Sequence, residues 1–439
     1  MSYNIPGFRP PAPVPLRGIS RITPPQFQAE TVTDFLRDGY WLETPDITGD
    51  GTPDLVGHGL ATGELYWYEN PTWDKRLLID GIVEPVGADF GNITGHGGDD
   101  YVVCYQLYGP GGTIHHADPE GGRIDWLENP GADAARRGER WPRHHVGRAV
   151  GMHRLRVGHF TRNDRIQILG FPIVAVASVH AVLPIVLFTE PDDLNTATQW
   201  DREVISDNRF RMVHGVAKRP GPEANGRDGV LMASDEGVTW LYFTEGEWVF
   251  EHLGEGESGQ FERTTFRGSG DLDGGRLGDD PLAYVAAIEP FHGNTIAVYV
   301  RRPGTPDTWD RFVLDTFGDP NENGEGPGHS VITADFDGDG DDEFLIGLRG
   351  PAPWQGVFYY KAVDAARGLF LRWRVGEESV ARIVVADFDG TGTADFATIS
   401  YSVEHYFVAP RAEITLHRHA ADALAVDALA AGQQSGSRR

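Results

Sequence analysis

The chain has 439 residues, a formal net charge of −27 and one cysteine. Such an acidic surface argues against binding to nucleic acid or to anionic membranes, both of which need a basic face, and one cysteine excludes a disulfide within the chain. No apolar run is long enough to cross a bilayer. The first fifteen residues lack the basic and apolar regions of a signal peptide, so we expect a cytoplasmic protein.

An acidic turn between two apolar strands recurs along the chain. Residues 45–57 (PDITGDGTPDLVG) are the first copy, residues 90–104 are a second with fewer acids, and residues 157–170 keep only the turn. Residues 268–285 keep acids at Asp271, Asp273 and Asp279. The fullest copies, ADFDGDGDDEF at 334–344 and VVADFDGTGTADFATI at 384–399, come last. A repeat of this kind predicts a solenoid or a propeller.

The acids in the best copies stand at alternating positions with glycines between them, which lets carboxylates converge on one hard cation. We therefore predict divalent cations with a structural role, Ca²⁺ being favoured and Mg²⁺ or Zn²⁺ being the alternatives, and no organic cofactor. The predicted ligands are Asp46, Asp50 and Asp54; Asp335, Asp337, Asp339 and Glu343; and Asp387, Asp389 and Asp395. Glu343 stands where Asp is usual, which makes the geometry of that turn less regular.

A second signal, an aromatic strand followed by Trp and alternating residues, occurs in six versions, of which YWYENPTWDKRLLI is the first. Each version predicts the third and fourth strands of a blade. The sequence thus predicts an all-β fold, a seven-bladed β-propeller of four-stranded antiparallel blades. Residues 16–23 would supply the missing outer strand and close the ring. We expect one domain over residues 1–419 and a flexible tail over residues 420–439.

In a propeller, the residues just before each innermost strand and the loops between second and third strands surround one mouth of the channel. Histidine, arginine and aromatic residues are concentrated there, as in a sugar-binding pocket. Any one histidine could be structural, and any arginine could pair with the abundant acids. The candidates are Tyr40, Trp41, Tyr105, His115, His116, His153, Arg154, His180, His214, Arg263, His292, His329, Trp354, Arg382 and Tyr401.

The acidic turns resemble FG-GAP and VCBS propeller repeats, which indicate a fold and leave function open. Longer strings are more specific. VCYQLYGPGGTI, GMHRLRVGHFT, VHAVLPIVLFTEPDD, FRMVHG and GHSVITADFDGDGDDEFLIGLRGPAPWQGVFYYKAVD resemble the propeller domain of the aldos-2-ulose dehydratases, which dehydrate 1,5-anhydro-D-fructose and related 2-keto sugars. Fungal members continue into cupin domains associated with a second, isomerising step, whereas this sequence stops, so the resemblance implies the dehydration alone.

Such a dehydration needs a base for the proton next to the carbonyl, a group that stabilises the enolate, and an acid for the departing hydroxide. We predict His153 as the base, with Arg154 held in a supporting ion pair. His214 and His329 are then candidates for the proton donor or for holding the sugar hydroxyls. The other residues at the channel mouth would bind the substrate.

Two alternatives stay open at this point. Propeller polysaccharide lyases perform a similar elimination on uronic acids, and a propeller without catalytic activity could bind carbohydrate or protein. We expect a small sugar as the binding partner, no nucleic acid and no membrane, and a homodimer is compatible with the sequence.

Overall fold

The computed structural model describes residues 24–420, apart from 224, 259–265, 303, 306–307, 323 and 405. Seven four-stranded antiparallel sheets form the fold. The innermost strand of each sheet contacts the innermost strands of both neighbouring sheets, so that the ring closes. The predicted seven-bladed propeller is therefore confirmed. No helix in the described part of the chain is long and apolar enough to span a membrane.

The first strand, β1 (Phe27–Thr33), precedes the first blade. Blade 1 contains β2 (Trp41–Glu43), β3 (Leu55–His58), β4 (Leu65–Glu69) and β5 (Asp74–Ile79). Blade 2 contains β6 (Gly87–Gly91), β7 (Asp100–Tyr105), β8 (Arg123–Leu127), the short helix α1 (Ala132–Arg136) and β9 (Arg143–Arg148). Blade 3 contains β10 (Met152–Gly158), β11 (Gln167–Pro172), β12 (Leu183–Thr189) and β13 (Asp201–Phe210). Blade 4 contains β14 (Val216–Pro220), β15 (Asp228–Ser234), β16 (Gly237–Thr244) and β17 (Glu247–Gly254).

Blade 5 contains β18 (Asp271–Leu277), β19 (Asp280–Glu289), β20 (Thr295–Arg301) and β21 (Trp309–Thr316). Blade 6 contains β22 (Gly328–Ala334), β23 (Glu343–Arg349), β24 (Gln355–Asp364), a 3₁₀ turn (Ala365–Arg367) and β25 (Leu369–Gly376). Blade 7 contains β26 (Arg382–Ala386), β27 (Asp395–Ile399), the hairpin strands β28 (Ser402–Val403) and β29 (Phe407–Val408), and β30 (Ile414–His419), with β1 as its outer strand.

The ring is closed by a different N-terminal segment from the one predicted. The outer strand of blade 7 is β1, which pairs antiparallel with β30 from Phe27 opposite His419 to Thr33 opposite Ile414. Residues 16–23, the predicted closing segment, lie outside the described residues. Phe27 packs 4.9 Å, centroid to centroid, from Phe396 of β27, an apolar contact that ties the strand to its blade.

Polar side chains in the channel tie neighbouring blades together. Innermost strands have one unpaired edge, whose backbone groups must find partners. Asp89 accepts from the backbone N–H of Val157 at 2.8 Å, and Arg154 donates to the carbonyl of Val86 at 3.0 Å. Lys218 likewise donates to the Val157 carbonyl at 2.7 Å. Much of the charge in the channel thus has a structural purpose.

Two of the acids assigned to a degenerate turn lie elsewhere. Asp271 and Asp273 belong to the innermost strand β18, not to the turn after it, and they accept from the backbone N–H groups of Val331 and Thr333, each at 2.9 Å. The sequence prediction placed the turn several residues too early, because alternating acids on a strand look like alternating acids in a loop. These two carboxylates face the channel and link blade 5 to blade 6.

Candidate active site

Four histidines lie together at one mouth of the channel. His153, His214, His292 and His329 are each between 3% and 5% exposed. The imidazole centroid of His214 lies 5.1 Å from that of His153, 4.8 Å from that of His292 and 5.5 Å from that of His329. Blades 3, 4, 5 and 6 each contribute one of them, so the cluster exists only in the closed ring. We call it the histidine ring.

The innermost strands direct two of these side chains by an irregularity in pairing. The β10–β11 register shifts between Met152 and Arg154, and the β22–β23 register shifts between Gly328 and Ser330. The unpaired residues at these shifts are His153 and His329, and a bulge of this kind re-aims a side chain next to a site. Gly87 permits the approach of blade 2, because a Cβ there would lie 2.5 Å from the carbonyl oxygen of His153.

The backbone at His292 is in the left-handed region, with φ of 43°. A residue with a Cβ adopts this conformation at a cost of about 1 kcal/mol or more, and such strain is concentrated at functional sites. The ring of Phe291 stacks on that of His292 at 4.0 Å. The loop between β19 and β20 therefore holds His292 in one orientation.

Hydrogen bonds determine which ring nitrogens are available. His214 Nδ1 donates to the carbonyl of Gly270 at 2.7 Å, and His329 Nδ1 donates to the carbonyl of Ala381 at 2.5 Å. Their Nε2 atoms are buried and have no hydrogen-bond partner in the part of the chain that the structure describes. With the proton on Nδ1, each Nε2 carries a lone pair directed into the site, as in metal-ligating histidines whose other nitrogen donates to a carbonyl.

His214, His292 and His329 fit a metal ion. Each can offer one ring nitrogen such that the three atoms lie within 4.8 Å of one another. Three neutral imidazoles with a free coordination position are typical ligands of a catalytic Zn²⁺. The sequence prediction named metal ligands at the acidic turns only and left a catalytic metal open. A signal for the trio was the placement of histidine at the start of innermost strands and in a loop between second and third strands, positions that surround one mouth of the channel.

Arg349, at the end of β23, was missed as a site residue. Its guanidinium donates to His292 Nδ1 and to the Tyr401 hydroxyl, each at 3.2 Å, and contacts Glu325 at 3.4 Å. Arg349 is 3% exposed and Glu325 6% exposed. The only indication in the sequence was that Arg349 lies inside one of the strings that resemble the dehydratases; a charged residue at the end of a buried strand has no periodic signature.

The site is electrically unusual because several titratable groups are buried together in it. Burial, with neighbouring charges as the second cause, holds the pKa of each ring histidine well below its ordinary value. Burial also raises the pKa of Glu325. The four imidazoles are consequently neutral at pH 7, which keeps their lone pairs available.

The structure brings some of the predicted residues to the histidine ring. The rings of Tyr40 and Tyr401 lie 5.6 and 4.8 Å from that of His329. His180 lies further out, 5.8 Å from Phe266. Arg263 lies outside the described residues.

Other predicted residues lie away from the histidine ring. The Tyr105 hydroxyl donates to Asp125 within blade 2 at 3.0 Å. His115, His116 and Trp354 are exposed in loops between second and third strands. These three belong to the rim on that side of the propeller, and their side chains take no part in the buried cluster.

Arg154 and Arg382 both lie over the indole of Trp41, with guanidinium carbons 4.5 and 4.3 Å from its centroid. The ion pair expected for Arg154 is wrong: no carboxylate among the described residues lies within 4.0 Å of it, and it donates instead to backbone carbonyls and to the Tyr40 hydroxyl. Arg382 faces the channel below the histidine ring, with Glu43 and Asp271 as its nearest opposite charges.

The acidic turns differ from one another. Asp387, Asp389 and Asp395 can bring one oxygen each within 4.8 Å, as can Asp335, Asp337 and Asp339, whereas Asp46, Asp50 and Asp54 form no such group among the described residues. In the turn at 335–343, the ammonium of Lys361 contacts Asp337, Asp339 and Glu343 at 2.7 to 2.8 Å. A protein cation therefore lies where the sequence predicted Ca²⁺.

Comparison with known proteins gives two related results. A family model described as the β-propeller domain of aldos-2-ulose dehydratase matches residues 121–302. Aldos-2-ulose dehydratase of Phanerodontia chrysosporium is 36% identical over 425 residues. The alignment covers 89% of this chain and 46% of that protein, so the chain spans about half the length of this relative.

The chain is also weakly similar to solved structures. A lectin of Agrocybe aegerita that recognises terminal N-acetylglucosamine is 15% identical, with a TM-score of 0.47 over 88% of this chain and 86% of its own. A chain of the mitotic checkpoint complex is 10% identical, with a TM-score of 0.49 over 95% of this chain and 99% of its own. At these values neither says anything about function. The family model and the relative from Phanerodontia chrysosporium confirm the similarity that the sequence strings indicated, to the propeller domain of the aldos-2-ulose dehydratases.

Proposed function

We propose that this propeller is a carbon–oxygen lyase that removes water from a 2-keto sugar such as 1,5-anhydro-D-fructose. The observation that carries the proposal is the histidine ring, in which the buried Nε2 atoms of His214, His292 and His329 have no partner among the described residues. Because these three histidines also lie close enough together to hold one metal ion, their unpartnered nitrogens indicate a missing ligand or a catalytic role. The name of the 36% identical relative supports the reaction class.

His153 acts as the base in this proposal. It lies outside the metal-fitting trio, its Nδ1 is buried without a partner, and its ring lies beside that of His214. The neutral imidazole removes the proton from C3, the carbon next to the C2 carbonyl, and the electrons of the C–H bond move to the carbonyl oxygen as an enolate. His214, His292 and His329 would hold a divalent cation such as Zn²⁺, whose charge stabilises an enolate oxygen when it is bound.

Tyr401 completes the elimination. Because its hydroxyl oxygen accepts a hydrogen bond from Arg349 at 3.2 Å, its own hydrogen is free to point at the substrate. As the enolate electrons form the C3–C4 double bond, the C4 hydroxyl departs and takes this proton, leaving as water. The adjacent guanidinium stabilises the tyrosinate. The tyrosinate then takes the proton that His153 removed from C3, which restores both side chains to their starting forms. The products are water and an enone.

The test is incubation of purified protein with 1,5-anhydro-D-fructose while the ultraviolet absorbance of an enone is followed. A parallel incubation with a uronic-acid glycan tests the polysaccharide lyase alternative with the same readout. We expect absorbance to rise with the keto sugar only, and more slowly with His153→Ala. Absence of product from the keto sugar, with the protein folded and supplied with Zn²⁺, would overturn the proposal.

A further inference from the structure

We propose that the channel below the histidine ring is a second binding site, which accepts a neutral, polyhydroxylated ligand about the size of a monosaccharide. The innermost strands line a chamber of about 350 Å³ there, which is open to solvent. Its lining includes none of the four ring histidines and neither Tyr401 nor Arg349. Small-molecule pockets typically measure about 300 to 1,000 Å³, so the chamber is large enough for one small ligand.

The chamber is a layer of the channel defined by strand geometry. Side chains two positions apart on a strand point to the same side. A residue two positions after a channel-facing residue therefore lines the next layer of the channel. Glu43 stands two residues after Trp41, and Arg156 two residues after Arg154. Both line the chamber.

Structural bonds account for part of this lining. Asp89, Lys218 and Asp273 bond to backbone groups of the neighbouring innermost strands, as described above. Arg156 donates to the carbonyls of Leu155 at 2.9 Å and Val216 at 2.7 Å. If every charged side chain of the lining were bonded in this way, no strong hydrogen-bond donor would be left for a ligand.

Arg382 is the exception. Its guanidinium makes no hydrogen bond to any described residue, and its Nε is buried without a partner. Glu43 opposes it with one oxygen occupied by Trp41 Nε1 at 3.0 Å, and the two charged groups interact through space without a hydrogen bond or an ion pair within 4.0 Å among the described residues. The Arg382 guanidinium has unused donors, the Glu43 carboxylate has a free oxygen, and both face the same cavity without contact. A ligand hydroxyl could accept from the guanidinium and donate to the carboxylate.

The charge balance determines the ligand class. The chamber has four carboxylates, on Glu43, Asp89, Asp271 and Asp273. It has four basic groups, on Arg156, Lys218, Arg219 and Arg382. Burial raises the pKa of Glu43 to about 7 and that of Asp271 to about 6, so both can still be charged near neutrality. An ionic ligand would leave one buried charge uncompensated, whereas a neutral polyol satisfies donors and acceptors alike.

The experiment is calorimetric titration of the full chain with D-glucitol, which has no carbonyl and cannot undergo the proposed elimination. We expect saturable binding that is unchanged in His214→Ala. Binding should weaken about tenfold in Arg382→Met, which loses hydrogen bonds from a charged group, and disappear in Val384→Phe, which fills the chamber. Val204→Phe, at an exposed position of an outer strand, is the matched control. Thermal melting checks the fold of each variant.

Three results would overturn the inference. They are the absence of saturable binding by the wild-type protein, loss of binding in His214→Ala with retention in Arg382→Met, and tighter binding of D-gluconate or sulfate than of D-glucitol. Should Val384→Phe not fold, the comparison of Arg382→Met with His214→Ala decides. Because the enone assay is run separately on the same protein, failure of this site and failure of the proposed lyase reaction are distinguishable.

Discussion

The guanidinium of Arg349 donates a hydrogen bond to Nδ1 of His292, and this bond distinguishes His292 from the other members of its trio. In His214 and His329 the corresponding nitrogen donates to a backbone carbonyl. A metal on Nε2 of His292 would require Nδ1 to carry the proton, and the nearest carboxylate, Glu325, has an oxygen 3.9 Å away. Metal binding at His292 would therefore require its Nδ1 to stop accepting from Arg349 and to donate to Glu325 instead.

We expect Arg349→Met to lower turnover by about 10² or more, the usual cost of losing a donor that stabilises developing charge. The same change leaves Glu325 buried without its cation, which destabilises the fold by about 3 kcal/mol or more. The double variant Arg349→Met/Glu325→Gln should recover melting temperature without recovering turnover. If the double variant regains both, Arg349 has only a structural role. Enone formation and thermal melting are the measurements.

The identity of the closing strand predicts a difference between two truncations. A protein that lacks residues 2–23 retains β1 and should melt close to the full-length protein. A protein that lacks residues 2–33 loses β1, leaves β30 unpaired and exposes the aromatic cluster around Phe396, so it should melt several degrees lower. Equal melting temperatures for the two truncations would contradict closure by β1.

The architecture was predictable because each blade repeats two local patterns, an acidic turn and an aromatic strand before Trp. The closing strand was misplaced because β1, FQAETVT, carries neither pattern: its burial alternates weakly and its partner β30 lies almost 390 residues away. Pairing over such a distance is specified by the remaining gap in the ring, not by local residues. The strand that contains Asp271 was misread as a turn for a related reason, since a strand and a loop can share one spacing of acids.

Lys361 gives a prediction about the acidic turn at 335–343. Burial alone would lower the pKa of this lysine, but hydrogen bonds to Asp337, Asp339 and Glu343 outweigh it, so the pKa is raised. Among the described residues, Lys361 is the only cation in contact with all three of these clustered carboxylates. The Lys361→Met protein should therefore melt lower in chelator and recover when Ca²⁺ is added. Lys75→Met is the control. A variant that melts like the wild type in chelator would show that the carboxylates need no cation.

A separate prediction concerns Asp387, Asp389 and Asp395, where no described lysine is in contact. We propose that this turn binds a divalent cation, as the sequence predicted for the acidic turns in general. Chelation of the wild-type protein should then lower the melting temperature, and Asp387→Asn should reduce that response, whereas Asp337→Asn should not. Equal responses of the three proteins to chelator would exclude a cation at 387–395.

Acid should destabilise the protein through its buried histidines, of which His58 is the clearest. His58 is 2% exposed, and burial lowers its pKa from 6.5 to about 4. Between these values the unfolded chain binds a proton that the folded chain does not, so stability falls as pH drops from 6.5 toward 4, by at most about 3 kcal/mol. In His58→Gln the melting temperature should fall less steeply over this range. An unchanged slope would contradict the assignment.

The candidate site was only partly predictable. Histidines at the start of innermost strands and in a loop between second and third strands indicated a pocket, but whether a side chain turns inward depends on the bulges at His153 and His329, which no local sequence pattern specifies. Arg154 and Arg382 were expected beside the substrate, yet both guanidinium groups lie over the indole of Trp41 in cation–π contacts. Arg349 could not be identified from local sequence, because its role depends on contacts of the end of β23 with the 325–326 segment and the loop before β20.

The assignment of His153 as the base can be separated from the role of the metal-fitting trio. Loss of a positioned general base costs about 10² to 10⁴ in rate, so His153→Ala should reduce turnover by that order while sugar and metal affinity change little. His214→Ala and His329→Ala should instead lose metal affinity, measured by direct titration with Zn²⁺, together with turnover. His252→Ala, in the outer strand β17, is the control. A His153→Ala protein with near wild-type turnover and normal Zn²⁺ binding would eliminate His153 and leave an unpartnered Nε2 of the trio as the base.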